Sequence, residues 1–277
     1  MINIGGRRLH LRRDVPRGQP TVLLEAGSFG FSADWGVVRS RLARLSIGSI
    51  AYDRAGLGHS DPGSLPRDGL AVAADLEALL AASGEDGPLI HVGHSMAGLH
   101  AHLFAARNPR RIAGLVLVDA VIPASARQLA ARRIARQYMR LARGAAWAAK
   151  AGLLAPLRPL GDTIGLDPEN AALKRWAFAD AQHNRAAADE VAEWETTVRQ
   201  AEAAGPLDPS WPISVVTAGP PGLAPNQRAR MAEPARASRA GYVANVAAAN
   251  HASLLGRAHA NAIIQAIVHV NAAIART

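Results

Sequence analysis

Apolar positions in this chain fall into two kinds of run. Residues 21–24, 50–52, 89–92, 112–118 and 213–216 are short and almost continuously apolar, the pattern of strands buried on both faces of a parallel sheet. Between them, residues 33–45, 70–83 and 97–108 place apolar side chains every three or four positions, which predicts helices. Residues 1–13 read as an opening hairpin, and the turn signal at Val15, Pro16, Gly18 and Pro20 separates it from the first buried strand. Strand and helix in alternation, joined by right-handed crossovers, build a doubly wound, mostly parallel α/β sheet. Its functional groups gather at the carboxyl ends of the strands.

The alternation stops at residues 122–207, which read as helical with breaks at Pro156, Pro159, Gly161 and Pro168. It resumes with strands at 213–219 and 242–247 and a closing helix to about residue 274. The expected organisation is one core, residues 1–121 and 208–277, carrying a helical insertion at 122–207. Within the insertion, Ile134, Tyr138, Leu141 and Ala145 share one helical face, and Arg132, Arg133, Arg136, Arg140 and Arg143 share the other. This predicts a helix packed by its apolar face with its arginines in water, in preference to a membrane-surface helix.

Composition narrows the function classes. With 277 residues, 49% of them hydrophobic and 19% charged, the chain can bury a large core and is not a disordered segment. The absence of cysteine excludes disulfides and thiolate metal sites. A net charge of +9 invites a nucleic-acid reading, yet aromatic residues are only 4%, too few for interleaved stacking platforms, so no nucleic-acid partner is expected. The first ten residues lack the apolar centre of a signal peptide, and no run is long enough to span a bilayer. A cytoplasmic protein without integral membrane association is the expectation, with the oligomeric state left open.

The candidate chemistry centres on Leu89-Ile90-His91-Val92-Gly93-His94-Ser95-Met96-Ala97-Gly98. An apolar strand ends here in a sharp turn with Ser95 at its apex, and small residues stand two positions before and after it, Gly93 and Ala97. Such a turn leaves no room for larger side chains. It exposes the serine hydroxyl and aims the first helical amide, that of Met96, at whatever binds there. His94 is expected to point away from the nucleophile's face.

The stretch resembles the nucleophile elbow of the α/β-hydrolase superfamily, G-H-S-x-G-G, departing from it at Ala97. The loop Asp53-Arg54-Ala55-Gly56-Leu57-Gly58-His59-Ser60 resembles the family's D-x-x-G-x-G-x-S, read here as structural, with Asp53 and Ser60 fixing its turns. The resemblance implies an eight-stranded sheet with a helical cap inserted after strand six. It also implies Ser95 as nucleophile and a second oxyanion amide from Ser28, in the loop Glu25-Ala26-Gly27-Ser28. It implies His251 as base, in a loop after the last strand where Asn250 replaces the usual glycine. Many members carry the acid after the strand that ends here at Ala218-Gly219, but residues 210–231 contain no Asp or Glu. Some branches place it after the strand following the elbow helix, where this chain has Asp119, which is therefore assigned to orient His251. No cofactor or metal is implied. Phe29, Phe31, Val121 and Ile122 are expected to flank the site. The reading is cleavage of a small apolar ester through an acyl-enzyme. Lactone, amide, thioester or carbon–carbon hydrolysis, perhydrolysis, and a non-catalytic ligand-binding relative remain as alternatives.

Overall fold

The computed structural model describes residues 1–14, 20–126, 129–220 and 225–276; the turn expected at Val15–Gln19 lies outside them. Strands β1 (Ile2–Asn3) and β2 (Arg8–Leu9) pair with each other as an antiparallel ribbon. Then β3 (Leu11–Asp14), β4 (Thr21–Glu25), β5 (Ser49–Tyr52), β6 (Leu89–His94), β7 (Ile112–Val118), β8 (Ile213–Ala218) and β9 (Tyr242–Val246) form one sheet in the order β3-β5-β4-β6-β7-β8-β9. All its neighbours are parallel except β3 with β5. The sheet thus has seven described strands where eight are expected. Gly5 and Gly6, both at positive φ, fold the opening residues back on themselves and leave β1 and β2 outside it.

Helices α1 (Gly36–Arg44), α2 (Gly69–Ala82) and α3 (Ala97–Arg107) connect the first strands. The insertion contributes α4 (Pro123–Ala126), α5 (Leu129–Lys150), α6 (Pro168–Ala179), α7 (Ala181–Ala192) and α8 (Trp194–Ala203). After it come α9 (Pro225–Met231), α10 (Glu233–Ala237) and the closing α11 (Asn261–Ile274). Successive side chains of β4 serve opposite layers. Val22 and Leu24 pack with Val38 and Leu42 of α1 and Ile263 and Ile267 of α11. Leu23 packs with Leu76 and Leu80 of α2 and Phe104 of α3. Both faces are covered, which is why Val22, Leu23 and Leu24 run apolar without alternation.

Helix α5 packs differently from its expected register. The seam with Ala188 and Val191 of α7 is made by Met139, Ala142 and Ala146, while Leu141 lies in solvent. Ala142 and Ala146 let the two helix backbones approach closely, and in that register Leu141 falls outside the seam. Arg140 and Arg143 are exposed, as expected. The side chains of Arg132, Arg133 and Ile134 lie outside those described.

The insertion is tied to the core through a charge. The fully buried Arg54 guanidinium, in the loop after β5, binds Glu190 of α7 through Nε at 2.9 Å and Nη2 at 2.8 Å. Its Nη1 donates to Ala26 O and its Nη2 to Gly27 O at 3.0 Å. Burial alone would lower the guanidinium pKa, but Glu190 and Glu25 hold it above its ordinary value. Removing one partner from such a pair is costlier than replacing both. Urea unfolding of Glu190→Ala should therefore show a loss of about 3–5 kcal/mol, with a smaller loss in the double variant Arg54→Met, Glu190→Leu.

Candidate active site

Space around Ser95 is defined by backbone contact. Ser95 sits at φ +56° between β6 and α3, a left-handed conformation that costs about 1–3 kcal/mol away from glycine. Its amide donates to Val118 O at 3.1 Å, and its carbonyl accepts from Gly98 and Val121 amides at 3.0 and 2.8 Å. A Cβ on Gly93 would lie 2.7 Å from Ala97 O, one on Gly98 2.4 Å from Val121 O, and one on Gly27 2.7 Å from Ser95 Cβ. The turn closes only with hydrogen at those three positions.

The Gly27 contact presses the loop after β4 against Ser95. Ser28 Oγ lies 3.2 Å from Met96 Sδ, which brings together the two residues expected to present amides. Arg54 holds Gly27 O, and because the peptide is planar and trans, the Ser28 N–H points the opposite way. Phe29, at φ +57°, turns its own carbonyl toward the insertion. There it accepts from Lys174 Nζ at 2.8 Å and His183 Nε2 at 3.3 Å. Below the loop, the buried Glu25 carboxylate accepts from Tyr52 Oη at 2.9 Å, His91 Nε2 at 2.9 Å and His100 Nδ1 at 3.1 Å. Burial acts to raise its pKa, but the two histidine hydrogen bonds hold it well below the usual carboxylate range.

His251 follows β9 and Asp119 follows β7. The two meet: His251 Nδ1 lies 2.6 Å from Asp119 Oδ2. Burial works to raise the Asp119 pKa, yet the hydrogen bond and charge of His251 leave it below its ordinary value. Asp119 Oδ1 also accepts the Ala218 amide at 3.3 Å, so the carboxylate-free end of β8 contributes a backbone donor instead. Asp119 stands at φ +41°, a second strained residue held by its surroundings.

A cavity of about 530 Å³ contains Ser28, Phe29, Ser95, Val121 and His251 on its walls, together with Tyr138, Lys174 and Trp194 from the insertion. Two expectations are corrected here. Phe31 and Ile122 are core residues: Phe31 packs on Ala33 and Ala177, and Ile122 joins the layer beneath β7. His94 does not turn away from the site. Its ring lies 4.6 Å from that of His251, and its Nε2 donates to His251 O at 3.1 Å, because Trp35 packs edge-on against it from the core side. The Asp53 loop is built as expected, with Ser60 Oγ donating to Asp53 O at 2.6 Å and His59 stacked on Trp176. Sequence reasoning passed over Arg54, Glu190, Lys174 and His183. Only Arg54 carried a signal, by lying inside a loop already singled out. Among the described residues, no group of three or more His, Cys, Asp or Glu side chains is placed to hold a metal ion, and no helix is long and apolar enough to cross a membrane.

A family model described as the alpha/beta hydrolase fold matches residues 20–158. The chain belongs to the alpha/beta hydrolase fold family. It is 36% identical over 114 residues to lipase LipV of Mycobacterium tuberculosis, covering 41% of this chain and 42% of that one. It is 39% identical over 127 residues to the protein named "Probable transporter efuK" of Hormonema carpetanum, covering 43% of this chain and 18% of that one. The matched segment spans less than half the length of these curated relatives. The solved structure of epoxide hydrolase CorEH superposes with a TM-score of 0.75 over 99% of this chain and 97% of that one, at 21% identity. At that identity the likeness is one of fold.

The histidine bonds make stability depend on pH. His183 Nδ1 accepts the Gly58 amide at 3.0 Å while its Nε2–H donates to Phe29 O, a pairing that only the neutral ring can make. Burial, first, and nearby positive charge hold His94 and His183 at about 3, against 6.5 for a free ring. Between those values the unfolded chain binds more protons than the folded one. Stability should therefore fall as pH is lowered from about 6.5 toward 3, by about 1.4 kcal/mol per pH unit for each histidine. Urea unfolding across that range should show the fall, with a shallower slope for His183→Gln.

Proposed function

We propose that the chain is a serine hydrolase cleaving a carboxylic ester through an acyl-enzyme. The observation that carries this reading is the 2.6 Å contact between His251 Nδ1 and Asp119 Oδ2 on a cavity that also holds Ser95. In this reading Ser95 Oγ attacks the ester carbonyl and His251 Nε2 takes its proton. Asp119, ionised and hydrogen-bonded at Nδ1, fixes the tautomer and stabilises the imidazolium. The Ser28 and Met96 amides receive the developing oxyanion. His251 then protonates the departing alcohol, and a water molecule activated by the same ring releases the acid.

A serine nucleophile favours this route over those of epoxide hydrolases and haloalkane dehalogenases, which form an ester on a carboxylate. The cavity walls supplied by Val121, Tyr138, Ile164, Trp194 and Leu255 suit an apolar acyl or alcohol group. A ligand-binding relative without catalysis drew its support from the missing acid after β8, and Asp119 beside His251 weighs against it.

Hydrolysis of p-nitrophenyl esters of increasing chain length tests the proposal. The wild type should turn over the shorter members. Ser95→Ala should lower kcat by roughly 10⁴-fold or more and Asp119→Asn by roughly 10³–10⁴-fold. Wild type without turnover on any ester, or Asp119→Asn with full activity, would contradict the assignment.

A further inference from the structure

Residues 121–161 contain eight Arg and Lys residues and no Asp or Glu. The same segment displays apolar side chains outward. On α5, the arc opposite Met139, Ala142, Ala146 and Ala149 carries Arg140, Gly144 and Trp147, with Leu141 beside it. Leu153, Leu157 and Leu160 follow in and before the 3-10 turn at Ala155–Gly161, with Arg158 among them. Leu141, Trp147, Leu153, Leu157 and Leu160 are between 45% and 71% exposed. Across a groove from Trp147 stands exposed Leu65, and the same groove is lined by Lys150 and Arg185 against Asp189, while Arg67 in its wall is buried and paired with Asp75 at 2.9 Å.

Single exposed apolar residues are ordinary, but a cluster on one short segment marks a surface that meets a partner. The charge selects the partner. A second copy of the chain would set like charges against each other. A bilayer of anionic lipid matches both features, because leucine and tryptophan enter the interfacial region while cations meet phosphate headgroups.

We propose that this face of the insertion docks on an anionic lipid surface. Trp147, Leu153, Leu157 and Leu160 enter the interface, and Arg140, Arg143, Lys150 and Arg158 meet the headgroups. The helix lies on the membrane and does not cross it. Tyr138, on the same helix, lines the cavity that contains Ser95, so the docking surface and the candidate site share one element. The proposal holds whether or not Ser95 cleaves esters.

Flotation of the full chain with vesicles tests it, comparing phosphatidylcholine alone with phosphatidylcholine containing phosphatidylglycerol. The wild type should float with the anionic vesicles, and added salt should weaken binding. Arg140→Gln, Arg143→Gln and Lys150→Gln together should weaken it by roughly fivefold per cation removed. The combination Trp147→Ser, Leu157→Ser and Leu160→Ser should weaken it by roughly tenfold or more, with the wild-type unfolding temperature retained in both variants. Wild type that stays with the soluble fraction, equal binding to both vesicle types, or binding untouched by both variants would overturn the proposal. So would a stable dimer in light scattering that the Trp147 variant dissolves, since the face would then belong to a second copy.

Discussion

The absence of side-chain volume at three backbone positions around Ser95 is the constraint on which the site depends. Gly93 lets the chain turn from β6 into α3, Gly98 lets α3 pass under the Val121 carbonyl, and Gly27 lets the loop after β4 touch Ser95. Ser95 can occupy its left-handed conformation because its amide and carbonyl are both hydrogen-bonded to neighbouring backbone. The cost of that conformation, about 1–3 kcal/mol, is met by two layers of core that fix the ends of β4, β6 and β7.

The insertion then completes what the core begins. Arg54, anchored by Glu190, binds Ala26 O and Gly27 O, and His183 and Lys174 bind Phe29 O. Each of these bonds takes a carbonyl of one loop, and the planarity of the peptide converts held carbonyls into directed amides. The insertion therefore both covers the cavity and orients the loop beside Ser95. Preorganised dipoles of this kind need no rearrangement when charge develops.

Much of this was legible in the residues. Continuous apolar runs marked the parallel strands because both faces of β4, β6 and β7 are covered, and the elbow was legible because its glycines are a steric necessity. The pairing of Asp119 with His251 was implied by the resemblance, whose usual acid position is empty in residues 210–231 and whose alternative position carries Asp119. Less legible were features set by long-range packing. The burial of Phe31 depends on Ala177 of α6, far away in the chain. The inward position of His94 depends on Trp35, and the register of α5 depends on how closely α7 approaches. None of these leaves a periodic trace, and Glu190 reads locally as one more acidic residue on a helix.

The proposed function requires Ser95 to be a nucleophile activated by His251 and held ready by Asp119. Intact-protein mass spectrometry after brief exposure to a fluorophosphonate tests it most directly. A single adduct is expected, mapped by peptide sequencing to Ser95, absent from Ser95→Ala and formed far more slowly in Asp119→Asn. A folded wild-type chain that takes no label at Ser95, or an Asp119→Asn variant labelled as fast as the wild type, would contradict it.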